Sequence, residues 1–508
     1  MNRSPLVALA FVWVTGCAGA ATSDASQDGQ VGRDVTAADG SDAPIATDVP
    51  TTADVHDAAD ADLRDSPDAD QPCLRITPGA SPSANRMTIN ACLATRGFAT
   101  LLAGDFPIDD RILVPDNAHL LGAAGVTPRP RIVFANAGWN SMVAVASRAE
   151  VGNLRLDANG RIGSAPNGSI VHLEGSESNV HDCEIYNSPA VRRGIRNAAI
   201  YVIGATSAGN VAANNDMHDS FYGIIFRAGI SRTNPNVARA NEIHGNTCDS
   251  VSLAGFGRIV GNDIHHNGFD CQNGATPNDP IPGGGVYCLN NDDGGEIIDN
   301  RIHDQCGMNV DIDRCGNFVI RGNTLERPGI AFAGQPPCGG AQSMGIVDSH
   351  DFTIVNNTVL NDGARNRIRT DPNNIFNRPQ DNSVSDLPAG DRSVIAFVLA
   401  RRRGGPEATS STIDNNILRA YCDPADCVGV GYFVGRGTGT TVSGVWSAAT
   451  TNYFTRNDPR GSNIGSRRCG ANWYAGSSTC GSDPMCNFDD AQHPLTPGNY
   501  RNDDCRDY

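Results

Sequence analysis

Asp311 and Asp313 are the residues whose spacing best suits catalysis: two carboxylates one residue apart in Asn309-Val-Asp311-Ile-Asp313. Alternating polar and apolar residues mark a half-buried strand, so Asn309, Asp311 and Asp313 are expected on one exposed face. Carboxylates at i and i+2 on a strand stand ~7 Å apart, the separation at which inverting glycosidases hold a water between acid and base. Such oxygens are also the donors Ca²⁺ takes, and Ca²⁺ is the one cofactor suggested. Tyr287 and Asn291, in Gly285-Val-Tyr-Cys-Leu-Asn-Asn291, are expected beside them to position a substrate, and Asp292 and Asp293 follow directly. The same pattern also suits solvated aspartates on a plain exposed sheet.

A second set is His218, His244, His265 and His303, each directly after the apolar residue that closes a repeated phrase. Stacked phrases put four imidazoles in one column, read either as a solvent-facing ladder or as a metal site between neighbouring coils; Asp292 and Asp293 are the other candidate ligands. All 39 cations are Arg, so a lysine base, a lysine Schiff base and a P-loop lysine are excluded. A formal charge of -17 speaks against a nucleic-acid partner.

These residues need elements to hold them. With 56 Gly, 6% aromatics and a mean hydropathy of -0.30, the chain is polar and turn-dense, not a membrane bundle or coiled coil. From about residue 150 it repeats a phrase, apolar-x-x-Asn-x-apolar, with asparagines at 215, 241, 262, 300, 323, 357 and 415. The separations of 26, 21, 38, 23, 34 and 58 residues share a minimum near one coil of a β-solenoid. Stacked amides bonding coil to coil are the expected role of these asparagines. Each coil carries a second short run, often led by Gly: Gly223 to Phe226, Gly285 to Cys288, Gly307 to Val310, Gly329 to Phe332. Alternation puts Ile224, Phe226, Val286, Cys288, Met308, Val310, Ile330 and Phe332 inside. Ile225 is expected outside.

Thr88 to Arg96 reads as a short helix preceding strands near Ala99 to Ile108 and Arg111 to Gly122. The phrase Val114-Pro-Asp-Asn-Ala-His-Leu-Leu-Gly-Ala-Ala-Gly125, followed by Asn-rich coils, resembles the right-handed parallel β-helix proteins of the pectate-lyase-like superfamily over about residues 85 to 440. The resemblance implies an all-β solenoid over 73-440 with an N-terminal capping helix, and it says little of the reaction, since that fold hosts lyases, hydrolases, epimerases and binding proteins. Polygalacturonase-like members carry an Asp pair similar to Asp292-Asp293, but their Gly-His-Gly and Arg-Ile-Lys are absent. Asp348-Ser-His350 resembles the Asp-Pro-His of alginate epimerases without the Pro. Pectate lyases use an Arg beside Ca²⁺, and Arg314 is the residue placed for that. Residues 441-508, with Trp446, Trp473, Cys469, Cys480, Cys486 and Cys505, are expected to form a disulfide-rich cap.

Ahead of the solenoid, residues 1-17 contain Arg3, an apolar run from Leu6 to Val14 and Thr15-Gly16-Cys17, a secretory signal with a lipobox whose Cys17 is lipidated. Residues 18-72 hold thirteen Asp, no Glu and two Arg, the composition of a disordered acidic linker. Fifteen cysteines after Cys17 read as disulfides, leaving at least one unpaired. If residues 307 to 313 are extended, Cys306 and Cys315 stand too far apart to bond to each other. The whole reads as an exported monomer tethered by lipid to a bacterial, outer, membrane. Its expected work is hydrolysis or lysis of a polysaccharide along the Tyr287 to Asp313 face; the alternative is a non-catalytic adhesin or glycan-binding lipoprotein.

Overall fold

In a computed structural model the chain divides into two units, Met1–Asp68 and Ala69–Tyr508. The structure describes residues 71–434 apart from 136–140, 162–167, 189–196, 205, 228–231, 270–282, 330–341, 348, 363–392, 401–411 and 422–427, and then 453–455, 464–468 and 500–501. Cys17, the linker, Ile330, Phe332, Asp348 and the cysteines of the expected cap lie outside the described residues.

Three parallel sheets run the length of the second unit. Sheet A begins at Phe98–Leu101, sheet B at Asp105–Ile108 and sheet C at Ile112–Val114, and each later coil adds one strand to each sheet in turn. This is the expected right-handed parallel β-helix, nearly all β apart from helices Gln71–Leu74 and Pro82–Arg96. Parallel pairing continues past residue 440, through Tyr453–Thr455 on sheet A and Ile464–Arg468 and Tyr500–Arg501 on sheet C. The capping helix starts earlier than Thr88, because Ser81 Oγ accepts the Ala84 N–H and Pro82 needs no N–H partner in the first turn. Gly97 ends it at φ 75°, and Cys73–Cys92 ties it to the preceding short helix.

Each coil turns from sheet A to sheet B on one left-handed residue, such as Asp182, Asn214, Ala240, Gly261, Asp299, Gly322, Asn356 or Asn415. The next residue is thereby aimed inward, and in most coils it is asparagine. Asn215, Asn241, Asn262, Asn300, Asn323, Asn357 and Asn416 form one ladder, each Nδ2 donating to the Oδ1 of the next at 2.8–3.0 Å. The last rung corrects the sequence reading: Asn415 takes the left-handed position and Asn416 the buried one. Where two asparagines adjoin, composition does not say which is the corner.

One apolar core fills the coils, including Ile224, Phe226, Val286, Cys288, Ile302 and Val310 as expected. Met308 is only half-buried, since the strand begins at Val310 and not at Gly307. The leading glycine of the run has a physical reason. A Cβ on Gly285 would stand 2.4 Å from Ile302 Cγ2 and 2.5 Å from Asn309 O, so only glycine lets the corner close on sheet B. Cys288–Cys315 links neighbouring strands of sheet C, so Cys315 does not bond Cys306; Cys248 and Cys306 are also in disulfides. Cys183 is free and buried, and burial pushes its thiol up to about 12.

Candidate functional site

Tyr287 and Asp311 are register partners on adjacent strands of sheet C, Val286–Asn291 and Val310–Cys315, and Leu289 partners Asp313. Both Tyr287 and Asp311 are half-buried and lie on the face opposite the core. The pairing expected of Tyr287 with the carboxylate strand is therefore observed. Its companions differ. Asp313, on the same side as Asp311, is 8% exposed and receives Arg314 Nε at 3.3 Å, so it is a covered, ion-paired carboxylate and not a solvated one. Arg314 is itself left-handed at φ 54°, where the strand bends toward the corner.

Two expected substrate residues are turned inward. Asn309 is fully buried, its Nδ2 donating to Glu326 O at 3.1 Å and Ser343 Oγ at 2.8 Å. It precedes the strand and belongs to the corner column of Gly285 and Ser343, so alternation does not reach it. Asn291 is 4% exposed because Asn290, at φ 52°, reverses the alternation one residue earlier. Its Oδ1 accepts the Asp293 N–H at 3.0 Å, a local turn bond.

Asp292 and Asp293 are exposed at the corner from sheet C to sheet A. Asp293 O accepts Arg232 Nη2, and Asp292 Oδ1 lies 3.3 Å from His350 Nε2. Asp292 thus meets His350 two coils on, and neither sits with Asp311 on the strand face.

His218, His244, His265 and His303 form the expected column on the outer face of sheet B, in register and stacked with centroids 5.1–5.2 Å apart. Tyr186 extends it, stacking on His218 at 5.0 Å. Stacked rings point their nitrogens the same way, so they do not converge on one ion. Each Nε2 is directed instead at a carboxylate of the preceding coil: Glu184 for His218 at 3.6 Å, Asp216 for His244 at 3.0 Å, Glu242 for His265 at 3.2 Å and Asp263 for His303 at 2.9 Å. Among the described residues no group of three or more His, Cys, Asp or Glu is placed to hold a metal ion. The Asp311 and Asp313 patch also fits Ca²⁺ poorly, because that ion takes six to eight oxygens while Arg314 engages Asp313 and Asn309 faces the core.

Sequence reasoning overlooked the acids of this stripe, although Asp216-Met-His218, Glu242-Ile-His244 and Asp263-Ile-His265 repeat the same three-residue signal. It also overlooked the far end of sheet C, where His172 stacks on Tyr201 at 5.3 Å. Tyr201, Ile225, Phe221, Tyr222 and Cys248 make a second apolar cluster, so Ile225 faces away from the core but is buried all the same. Burial pushes His172 below the usual imidazole range.

Neither a protein-family model nor a curated protein sequence matches the chain. Among solved structures it is similar to the A-module of the mannuronan C-5 epimerase AlgE6 of Azotobacter vinelandii, at 9% identity over 74% of this chain and 95% of that one, TM-score 0.46. It is similar also to the Dettilon tailspike protein, at 12% identity over 76% and 67%, TM-score 0.45. A third is DFA-IIIase of Arthrobacter chlorophenolicus A6 without its lid, at 12% identity over 76% and 99%, TM-score 0.45. At such identities and scores the likeness is one of fold and says nothing of individual site residues.

Proposed function

We propose that this chain is a polysaccharide-cleaving β-helix enzyme that works on the outer face of sheet C. The observation that carries the reading is the placing of Asp311 and Asp313 on one side of Val310–Cys315, with Tyr287 in register beside Asp311. Connection lengths support it. The strand is entered through only residues 306–309, while its neighbours in sheet C are entered through 266–285 and 329–341. Insertions between the strands of one sheet of a solenoid are often the binding ones, and the carboxylate strand lies between two of them in the order of sheet C. In hydrolysis Asp311 gives its proton to the glycosidic oxygen as the sugar C–O bond breaks. Asp313, its charge balanced by Arg314, takes a proton from the water whose oxygen bonds the anomeric carbon. Tyr287 offers a ring for the sugar to pack on.

The N-terminal features support export and attachment through Cys17, and the disulfides Cys73–Cys92 and Cys288–Cys315 suit an oxidising compartment outside the cytoplasm. Loss of labelled fatty acid from a Cys17→Ala variant, with wild-type labelling intact, tests the anchor.

A non-catalytic glycan-binding role is the second reading. The burial of Asn291 and Asn309 favours it, since it leaves fewer outward polar groups than a full active site uses. Incubating the protein with neutral and acidic polysaccharides, with and without Ca²⁺, and following new reducing ends and unsaturated products separates the two. Reducing ends that vanish in Asp311→Asn support the hydrolase. Unsaturated products point to a lyase, and retention of a glycan without products supports the binding protein. Activity unchanged in both Asp311→Asn and Asp313→Asn overturns the site.

A further inference from the structure

Four histidines of the solenoid are followed by aspartate: His181-Asp182, His218-Asp219, His303-Asp304 and His350-Asp351. All four aspartates are left-handed, with φ of 52°, 52°, 53° and 51°. That conformation turns each carboxylate back onto the ring before it, 2.7, 2.8, 2.6 and 2.9 Å from Nδ1. The other nitrogen faces an acid on an earlier coil. His181 Nε2 lies 2.7 Å from Glu150, His218 Nε2 3.6 Å from Glu184, His303 Nε2 2.9 Å from Asp263 and His350 Nε2 3.3 Å from Asp292. His350 reaches across two coils because Gly316 leaves room, a Cβ there standing 2.5 Å from the ring.

An ionised carboxylate only accepts, so an imidazole bonded to one at each nitrogen, the arrangement at His181, His303 and His350, donates from both only when it is charged; His218 Nε2, 3.6 Å from Glu184, makes an ion pair and no hydrogen bond. We propose that these four His-Asp pairs are proton-operated clasps, which fasten a coil to an earlier one while the ring is charged and release it when the ring is neutral. Their surroundings are charged throughout. Glu150, Asp182 and, through Glu150, His119 surround His181. Glu184, Asp216, Asp219, Tyr186 and His244 face His218. Asp263, Asp304, Glu326, Arg301, Arg327, His265 and His266 stand around His303, and Asp292 and Asp351 around His350. The Glu150 bond, followed by Asp182, raises His181. Burial pulls His218 down, but Asp219, Asp216 and Glu184 raise it on balance.

A raised imidazole stabilises fully below its unfolded value and loses that contribution as pH climbs through the folded one. Glu150 and Asp219 are lowered, so their contribution is present above the unfolded carboxylate range and fades as pH falls through the folded values. The His181 and His218 clasps should therefore hold best between about pH 4.5 and 6.5. His244 and His265 are followed by Gly245 and His266, not by aspartate, so their Nδ1 has no such carboxylate.

Thermal melting of the full chain across that range and up to pH 8 tests the clasps. Each of His181→Gln and His218→Gln should lower the melting temperature in mild acid by roughly 2 °C and change it little at pH 8. Imidazole ¹⁵N shifts in the wild type report the charge directly, whether or not a variant folds. Doubly protonated rings at the four positions near pH 6 support the clasps. Neutral rings there, or single-variant melting curves parallel to the wild type, overturn them.

Discussion

The outer faces of sheets B and C are built by the same stacking rule and look unlike one another. On sheet B one column reads Tyr186, His218, His244, His265 and His303, and the acids two residues earlier read Glu184, Asp216, Glu242 and Asp263. Each imidazole faces a carboxylate of the coil before, and Tyr186 accepts from Arg155 of the coil before it, so the face satisfies itself. On sheet C the matching column reads Ala144, His172, Tyr201, Ile225, Ser252, Tyr287, Asp311 and Gly345, with no residue type repeated in succession. A repeated polar pattern along a solenoid is the mark of coil-to-coil bonding, because every coil needs the same bond. A pattern that changes at each coil is not what stacking alone requires, and that is why recognition is proposed for sheet C.

The largest effect that would break this contrast is on activity. Asp311→Asn should lower glycan cleavage by about 10²- to 10⁴-fold. His218→Gln should leave cleavage rates intact. If the two variants exchange these outcomes, the assignment of faces is reversed.

Gly285→Ala comes next, and it acts on the corner that sets Tyr287 on its face. The new methyl meets Asn309 O and Ile302, and neither backbone nor core has room to yield. A cost of about 2–3 kcal/mol in denaturant unfolding is expected.

Asp313→Asn separates the two carboxylates by their surroundings. Removing the charge takes the 3.3 Å partner from Arg314, whose side chain is partly exposed, so roughly 0.5–1 kcal/mol of stability should go along with activity.

On sheet A a smaller network offers a pH comparison. Glu150 is held down to about 2 by its bond to His119 and then His181, and both rings are raised by it. The stability from the rings is complete below about pH 6.5 and falls as pH rises through their folded values. Glu150→Gln should flatten that decline, measured as melting temperature from pH 6 to 8.

The smallest effect expected is a gain. Cys183 stands where later coils carry the ladder asparagine, its N–H donating to Asn215 Oδ1 at 3.1 Å. Cys183→Asn should add one rung and raise stability by about 1 kcal/mol in denaturant unfolding.

The sequence by itself determined the architecture. Asn215 to Asn357, the glycine-led strands and the alternating apolar residues recur once per coil, and repetition lets one weak local signal be read many times over. The imidazole column was legible for the same reason, since His218, His244, His265 and His303 hold a constant place in the repeated phrase. Tertiary structure alone decided which polar residues face outward near the corners. A single left-handed residue reverses the alternation of everything after it, as Asn290 does for Asn291, and a strand that starts at Val310 leaves Asn309 outside the pattern. Partners of each ring were likewise hidden. Asp292 and His350, or His303 and Asp263, are 58 and 40 residues apart in the chain, and only coil stacking, whose register depends on every corner between them, brings them within bonding distance.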